Sequence, residues 1–358
     1  MISFAFDSRF LFFLMSKAVE SVMSGQSDKI CDQIVDAIVD EYLRRDPESR
    51  VDLKVLGSHG MIMIGGEVNS RADFDLAGLA KMVYRDIGYT DDAEVFVNVE
   101  PLSEEMSSVV GAADTVVVHG YATRETREFL PLPLVYAHAL ARRMDDLRKT
   151  DPTFHWLGPD GKVQIVMEQK KVIAVTLLAQ HAKDVLPRDV QARLLERVVS
   201  PIIGKDEEVQ IFINPIGSFV TGGFQADTGM SGQKSSVDFY GGLIPHGDVG
   251  LSGKDPGKVE RAGSYMARFV AKQLVKEGWA DAILISLAYT LGRAEPVMID
   301  VKASGLKREN ASSLVNFVKK EYDFRPDAIV ERLDLKKPCY RATAVYGHFG
   351  REGFPWEE

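Results

Sequence analysis

The strongest periodic signal lies in residues 28–43, DKICDQIVDAIVDEYL, where Ile30, Ile34, Ile38 and Tyr42 recur every four positions beside Val35, Val39 and Leu43. That spacing predicts a helix with one face in a core. Ser27 is the expected N-cap, which places Asp28 and Lys29 in the first turn beside free N–H groups. MIMIGGE (61–67) predicts a buried strand ending in a turn, and Val95, Val97 and Val99 alternate with Phe96 and Asn98 as another strand. Further along, a helix follows Pro133 through Tyr136, Leu140 and Arg143. Strands at 163–167 and 172–178, a helix near 188–199 and a strand at 208–213 come next. Asp255 and Pro256 carry the chemistry of an N-cap followed by proline at the first helical position, ahead of the apolar face Val259, Ala262, Met266, Phe269 and Val270. Strands at 283–289 and 297–301 and a helix around Leu314, Val315 and Val318 complete the pattern. Helices alternating with strand pairs predict an α+β fold of several two-layer units. The candidate junctions lie near 100–111 and 214–223, and no short-period repeat is visible.

A chain of 358 residues exceeds one ordinary core, and its apolar and charged contents are those of a soluble globular protein. A formal charge of -9 argues against nucleic acid or an anionic membrane as partner. Two cysteines, Cys31 and Cys339, make no disulfide framework and no metal spacing, which fits a reducing cytoplasm. The opening MISFAFDSRFLFFLMSK contains an apolar run far too short to span a bilayer, with no basic flank or small-residue cleavage site. Residues 1–15 therefore read as an extension, from an upstream start codon with Met15 as the natural beginning or as an arm that docks on the body.

Candidate chemistry concentrates in residues 222–260, a glycine-dense stretch punctuated by Lys234, Lys254 and Lys258, with Asp227, Asp238, Asp255 and Glu260 between them. Glycine lets backbone N–H groups approach phosphate oxygens, lysine neutralises them and carboxylates hold Mg²⁺. Such a mixture suits a polyphosphate with its metal. Each residue also has a plain alternative: Asp28 and Asp255 as caps, the glycines as turns, the lysines as solvated surface.

DKICDQI (28–34), GYATRET (120–126), FINPIGSFVTGG (212–223), SGKDPGKVE (252–260) and GHFGREGFPWEE (347–358) together resemble the methionine adenosyltransferase (S-adenosylmethionine synthetase) family, over nearly the whole chain from about Val19. The resemblance implies three similar α/β two-layer domains around a pseudo-threefold axis, here 16–105, 106–221 and 222–358. It implies homodimers or dimers of dimers with active sites between subunits. It also implies a reaction in which the methionine sulfur attacks C5′ of ATP and the departing triphosphate is cleaved to pyrophosphate and phosphate. By match to the family, Asp28 and Glu260 are Mg²⁺ ligands, Glu260 standing where aspartate is usual. Asp160, Lys162, Ser218, Phe219, Asp227, Gln233, Lys234, Gly250 and Lys254 fall at ATP positions, and Glu67, Asp114, Asp227 and Lys258 at methionine positions. Gln26, Lys29, Lys234 and Lys254 fall at catalytic ones. His119, His138, His181 and His246 match no catalytic role.

Four departures qualify the resemblance. Gln26 stands where the family has histidine, and glutamine cannot carry charge or relay a proton. Gln233 replaces an arginine whose charged fork grips phosphate, so triphosphate cleavage is expected to suffer. Lys54 replaces a glutamate that binds a monovalent cation, so its ammonium is expected to stand in for potassium and the K⁺ requirement to be lost. Only EPLSEEMSSVV separates Val99 from Gly111, too short for the family's mobile gate over methionine. Three readings follow: an S-adenosylmethionine-forming enzyme, a relative that adenosylates another nucleophile or uses ATP otherwise, and a non-catalytic subunit that pairs with a complete paralogue.

Overall fold

A computed structural model describes residues 16–247, 250–307 and 310–358, so the expectations for residues 1–15 lie outside the described residues. Three sheets carry the fold. The chain opens with strand β1 (Lys17–Val22), helix α1 (Ser27–Arg45), the hairpin β2 (Arg50–Ser58) and β3 (Met61–Asn69), helix α2 (Leu76–Ile87) and strand β4 (Glu94–Glu100). The same order then recurs: β5 (Val116–Thr123), α3 (Leu132–Thr150), the hairpin β6 (Leu157–Glu168) and β7 (Lys171–His181), α4 (Pro187–Leu194) and β8 (Gln210–Ile213). It starts a third time with β9 (Gly229–Met230), α5 (Val259–Lys276), the hairpin β10 (Ala282–Tyr289) and β11 (Met298–Ser304), and α6 (Ala311–Glu321).

The first strand of each repeat pairs outside its own repeat. The sheets run β9-β2-β3-β4, β1-β6-β7-β8 and β5-β10-β11, so each leading strand lies antiparallel beside the hairpin of a different repeat. The closing strands β4 and β8 lie parallel to their neighbours, as a crossover through a helix requires. The sheets and the three consecutive segments of sequence are therefore different partitions of the chain.

Each long helix covers one sheet face: α1 packs on β2 and β9, α3 on β1 and β6, and α5 on β5 and β10. The α1 stripe is buried as its periodicity predicts, including Ile30, Ile34, Ile38 and Tyr42. Helix α5 lies so close to β5 that a Cβ on Gly120 would fall 2.0 Å from the backbone of Ala267, which excludes any larger residue there.

Two expected helix starts are corrected. The cap of α1 is Gln26, whose side-chain oxygen accepts from the N–H groups of Asp28 and Lys29, and Ser27 is already helical. Helix α5 begins at Val259 with Lys258 at the cap position. Asp255 and Pro256 instead form a preceding turn, because the two Asp255 carboxylate oxygens are occupied by the N–H groups of Val51 and Gly257. The strand predicted to end at Glu67 continues to Asn69, because Val68 and Asn69 still pair with β2 after the pairing with β4 stops at Glu67.

Candidate active site

Strand β2 alternates strictly. Val51, Leu53 and Val55 are fully buried, and Asp52 and Lys54 project from the opposite face. On that open face the register places Glu67 of β3 directly across from Asp52, and an isolated bridge brings the Lys254 backbone to Asp52 from the other side. Lys258 Nζ reaches Asp52 Oδ2 at 3.1 Å. Burial lowers the Lys258 pKa, and the charge and hydrogen bond of Asp52 outweigh it, so the net shift is upward. Lys54 shifts the other way: partial loss of solvent around the amine and the like charge of Lys254 hold its pKa below the usual lysine range. Lys254 Nζ donates to Glu260 Oε1 at 2.6 Å inside the protein, and Glu260 Oε2 is buried without a hydrogen-bond partner. An orphaned carboxylate oxygen beside a lysine cluster is a costly arrangement for the resting chain and a natural place for a cation.

At the start of α1, Asp28 presents one oxygen to the Met230 N–H at 3.0 Å and the other to Lys234 Nζ at 3.4 Å. Gln26 is consumed by this turn. Besides capping, its Nε2 donates to Ser27 Oγ and to Asp28 Oδ2 at 3.2 and 3.1 Å. Lys29, expected among the reacting groups, does not face this opening. Its amine is sealed between Asp32 at 2.8 Å and Asp238 at 2.5 Å, where the two carboxylates overcome desolvation and drive its pKa far upward.

The expected nucleotide residues gather on the adjoining edge. The Gly25 N–H donates to the Pro159 carbonyl at 3.0 Å, which docks the α1 cap turn onto β6. Asp160 Oδ2 accepts the Gly223 N–H at 2.8 Å. Its pKa is pushed up to about 6, first by burial and then by the charge of Asp227, against the pull of the Gly223 and Gly161 N–H groups and of Lys234. Gly223 adopts φ +57, and a Cβ there would meet the Tyr89 ring at 2.4 Å. His181 clamps Phe219 at two points: its N–H donates to the Phe219 carbonyl at 2.8 Å, and its Nε2 accepts the Phe219 N–H at 3.2 Å. Asp227 and Ser218 are exposed on this loop, Gln233 is exposed beside Lys234, and Gly250 packs against Gly232.

Lys162 lies two residues from Asp160 on β6 and pairs with Glu20 of β1 at 2.7 Å. Asp114 receives its neighbour's N–H on an exposed loop, and Thr115 accepts the Leu291 N–H, so this segment belongs to the β5–β10 side of the molecule. The short segment after Val99 forms a helical turn, Glu104–Ser107, pinned by Arg50 to the Ser107 carbonyl and by Asn69 to the Ser107 hydroxyl. Asp52 was missed from the sequence, although the alternation of Val51, Leu53 and Val55 puts it on the same face as Lys54.

Glycine-rich backbone, lysines paired with carboxylates and an aromatic held by His181 lie along this part of the molecule. Family comparison identifies the chain. Residues 14–107, 109–219 and 221–358 match the N-terminal, central and C-terminal domains of S-adenosylmethionine synthetase. The chain is 39% identical to the S-adenosylmethionine synthase of Petrotoga mobilis over 94% of each chain, and 38% identical to that of Aquifex aeolicus over 96% of each. It is 40% identical to that of Sorangium cellulosum, over 95% of this chain and 86% of the relative. The chain belongs to the S-adenosylmethionine synthetase family, with its three-domain α+β architecture, and is a transferase of that family.

Proposed function

We propose that the protein forms S-adenosylmethionine from ATP and methionine, releasing triphosphate as pyrophosphate and phosphate. The methionine sulfur attacks C5′, the C5′–O bond breaks, and the electron pair leaves with the triphosphate oxygen. The observation that carries this reading is the pairing of Lys234 with Asp28, from a loop 206 residues further along the chain (234 − 28), and of Lys254 with Glu260, with a buried Glu260 oxygen left unpartnered. Lys234 and Lys254 are placed to neutralise charge growing on the departing chain. Glu67 and Asp52 offer carboxylates to an amino group, and Lys258 offers an ammonium to a carboxylate. Asp160 and Phe219 bracket the nucleoside.

Asp28 and Glu260 fit Mg²⁺, which takes one or two carboxylates and completes its shell with water and substrate phosphates. When bound, the metal would neutralise phosphate oxygens. Lys54 fits the role of a tethered monovalent cation among Asp52, Asp32 and Glu260. Gln26, spent on the cap, fixes Asp28 and has no proton to relay.

The open face of the β9-β2-β3-β4 sheet supports a dimer with sites at its interface. Met230, Leu56, Met63 and Phe96 stand in one register row across all four strands, with Met63 45% and Phe96 47% exposed. Two steps along the strands lies Lys54, and two further lie Asp52 and Glu67. An apolar row beside charged rows is the composition of an interface that encloses a polar site. Among the described residues no helix is long and apolar enough to cross a membrane, and both cysteines are free, which supports work in a reducing cytoplasm.

A second reading, use of ATP with another nucleophile or as partner to a complete paralogue, is favoured by Gln26 and Gln233. Incubation with ATP and Mg²⁺, with and without methionine, tests both. Sulfonium product supports the first reading. Methionine-independent ATP loss, or nucleotide binding without turnover, supports the second.

A further inference from the structure

The aspartates of α1 fall at 28, 32, 36 and 40, a spacing that lines them along one side of the helix. Each accepts backbone N–H groups from the C-terminal part of the chain. Asp28 takes that of Met230 at 3.0 Å, Asp32 that of Gly232 at 2.8 Å and Asp36 that of Gly253 at 2.9 Å. Asp40 takes those of Tyr340 and Arg341, both at 2.8 Å. Two of these contacts adjoin the lysines of the site, since Gly232 lies two residues before Lys234 and Gly253 immediately before Lys254.

Asp36 holds Lys254 from both sides. It accepts the N–H of the preceding residue directly. It also pairs with Arg261, whose Nη2 donates to both Asp36 oxygens at 2.7 and 2.8 Å and whose Nη1 donates to the Lys254 carbonyl at 2.9 Å. Asp36 and Arg261 are fully buried, so the clamp is shielded from solvent and salt. Such charge-assisted bonds to backbone are short and directional.

We propose that Asp32 and Asp36 are positioning residues for adenosyl transfer: they register the two lysine-bearing loops against α1, Asp32 setting Lys234 and Asp36 with Arg261 setting Lys254. The proposal rests on the reading of the ATP site above. A displacement of about 1 Å in a charged group that stabilises a transition state costs on the order of 100-fold in rate. Asp40 makes the same kind of contact to a segment that carries none of the site lysines, and so serves as the control.

The test compares Asp32→Asn, Asp36→Asn and Asp40→Asn by steady-state kinetics and by amide hydrogen exchange of the resting protein. The expected result is faster exchange confined to 229–238 in the first variant, since Asp32 also shares the buried Lys29 with Asp238, to 250–258 in the second and to 339–343 in the third. The first two should lose kcat by about tenfold or more with methionine KM nearly unchanged, and Asp40→Asn should keep wild-type kcat. Equal loss of kcat in all three, or exchange rising together in all three segments, would overturn the proposal, since both mark general destabilisation. If Asp36→Asn does not fold, Arg261→Lys keeps the charge opposite Asp36, removes the second prong on the Lys254 carbonyl and is judged by the same readouts. Exchange needs no turnover. A wild-type protein that makes no sulfonium product would therefore refute the proposed function, and the segment pattern would still decide whether the clamp exists.

Discussion

The phenol of Tyr89 donates a 2.6 Å hydrogen bond to the carbonyl oxygen of Gly25, the residue that precedes the α1 cap. The same ring lies under Gly223 and stacks on Tyr84, which in turn stacks on Phe224. One side chain thus supports both the turn that presents Asp28 and the loop that meets Asp160. Tyr89→Phe leaves a buried carbonyl without its donor, which costs about 1–3 kcal/mol. The expected outcome is a lower thermal midpoint together with a several-fold higher KM for ATP. Calorimetry and initial rates check the two parts separately.

Lys54 is proposed to supply a tethered positive charge in place of a free monovalent cation. Turnover should be the same in potassium and in sodium buffers. Lys54→Glu should reduce activity in sodium and recover part of it when potassium is added. Strong potassium activation of the unaltered protein would defeat this assignment.

Glu260 holds Lys254 with one oxygen and leaves the other free inside the protein. Glu260→Gln keeps the size and removes the charge. It should raise the Mg²⁺ concentration for half-maximal rate by roughly tenfold or more, with nucleotide affinity in the absence of metal little changed. A magnesium titration of rate, paired with metal-free calorimetry, separates these effects.

Asp160 titrates near 6 in the folded chain because burial and Asp227 disfavour its charge. Its folded pKa exceeds the unfolded carboxylate value, so its contribution to stability is complete below the unfolded pKa and is lost as pH rises through about 6. Asp40 is raised in the same way, to about 6, so the difference between variants isolates one group. The thermal midpoint of Asp160→Asn should fall less between pH 4 and 7 than that of the unaltered protein. Parallel melting profiles across that range would contradict the assignment.

Replacing Gln233 by arginine restores a guanidinium beside Lys234 and should increase triphosphate cleavage more than sulfonium formation. Gln26→His should disturb Asp28 as well, because the amide it removes caps α1 and donates to Asp28. Separate measurement of triphosphate, phosphate and S-adenosylmethionine resolves the two effects.

The apolar periodicity of α1 and the strands 61–67 and 283–289 was legible because each buries a set of apolar side chains on one side, and 95–99 was legible from its alternation alone, with Val95 and Val99 half-buried and Val97 exposed. The caps were less so. Gln26 is a poor cap by preference, yet its amide satisfies two N–H groups and Asp28 together, whereas the better candidate Asp255 is drawn off by Val51 from another segment. The repeat was invisible in the residues because α1, α3 and α5 share a place and not a pattern of side chains. The inward turn of Lys29 was also hidden. It depends on Asp238, 209 positions away, whereas the partner Asp32 lies one helical turn along and could have been noticed.

The exchange of leading strands has a consequence for how the polypeptide comes into being. The β1-β6-β7-β8 layer stays incomplete until Val22 meets Lys162, the β9-β2-β3-β4 layer until Gly57 meets Gly229, and the β5-β10-β11 layer until Thr123 meets Ala282. During synthesis each portion therefore waits for a strand from a later one, and the layers close in succession. A truncated product, or a nick between layers, leaves a gap in a neighbour as well as in itself.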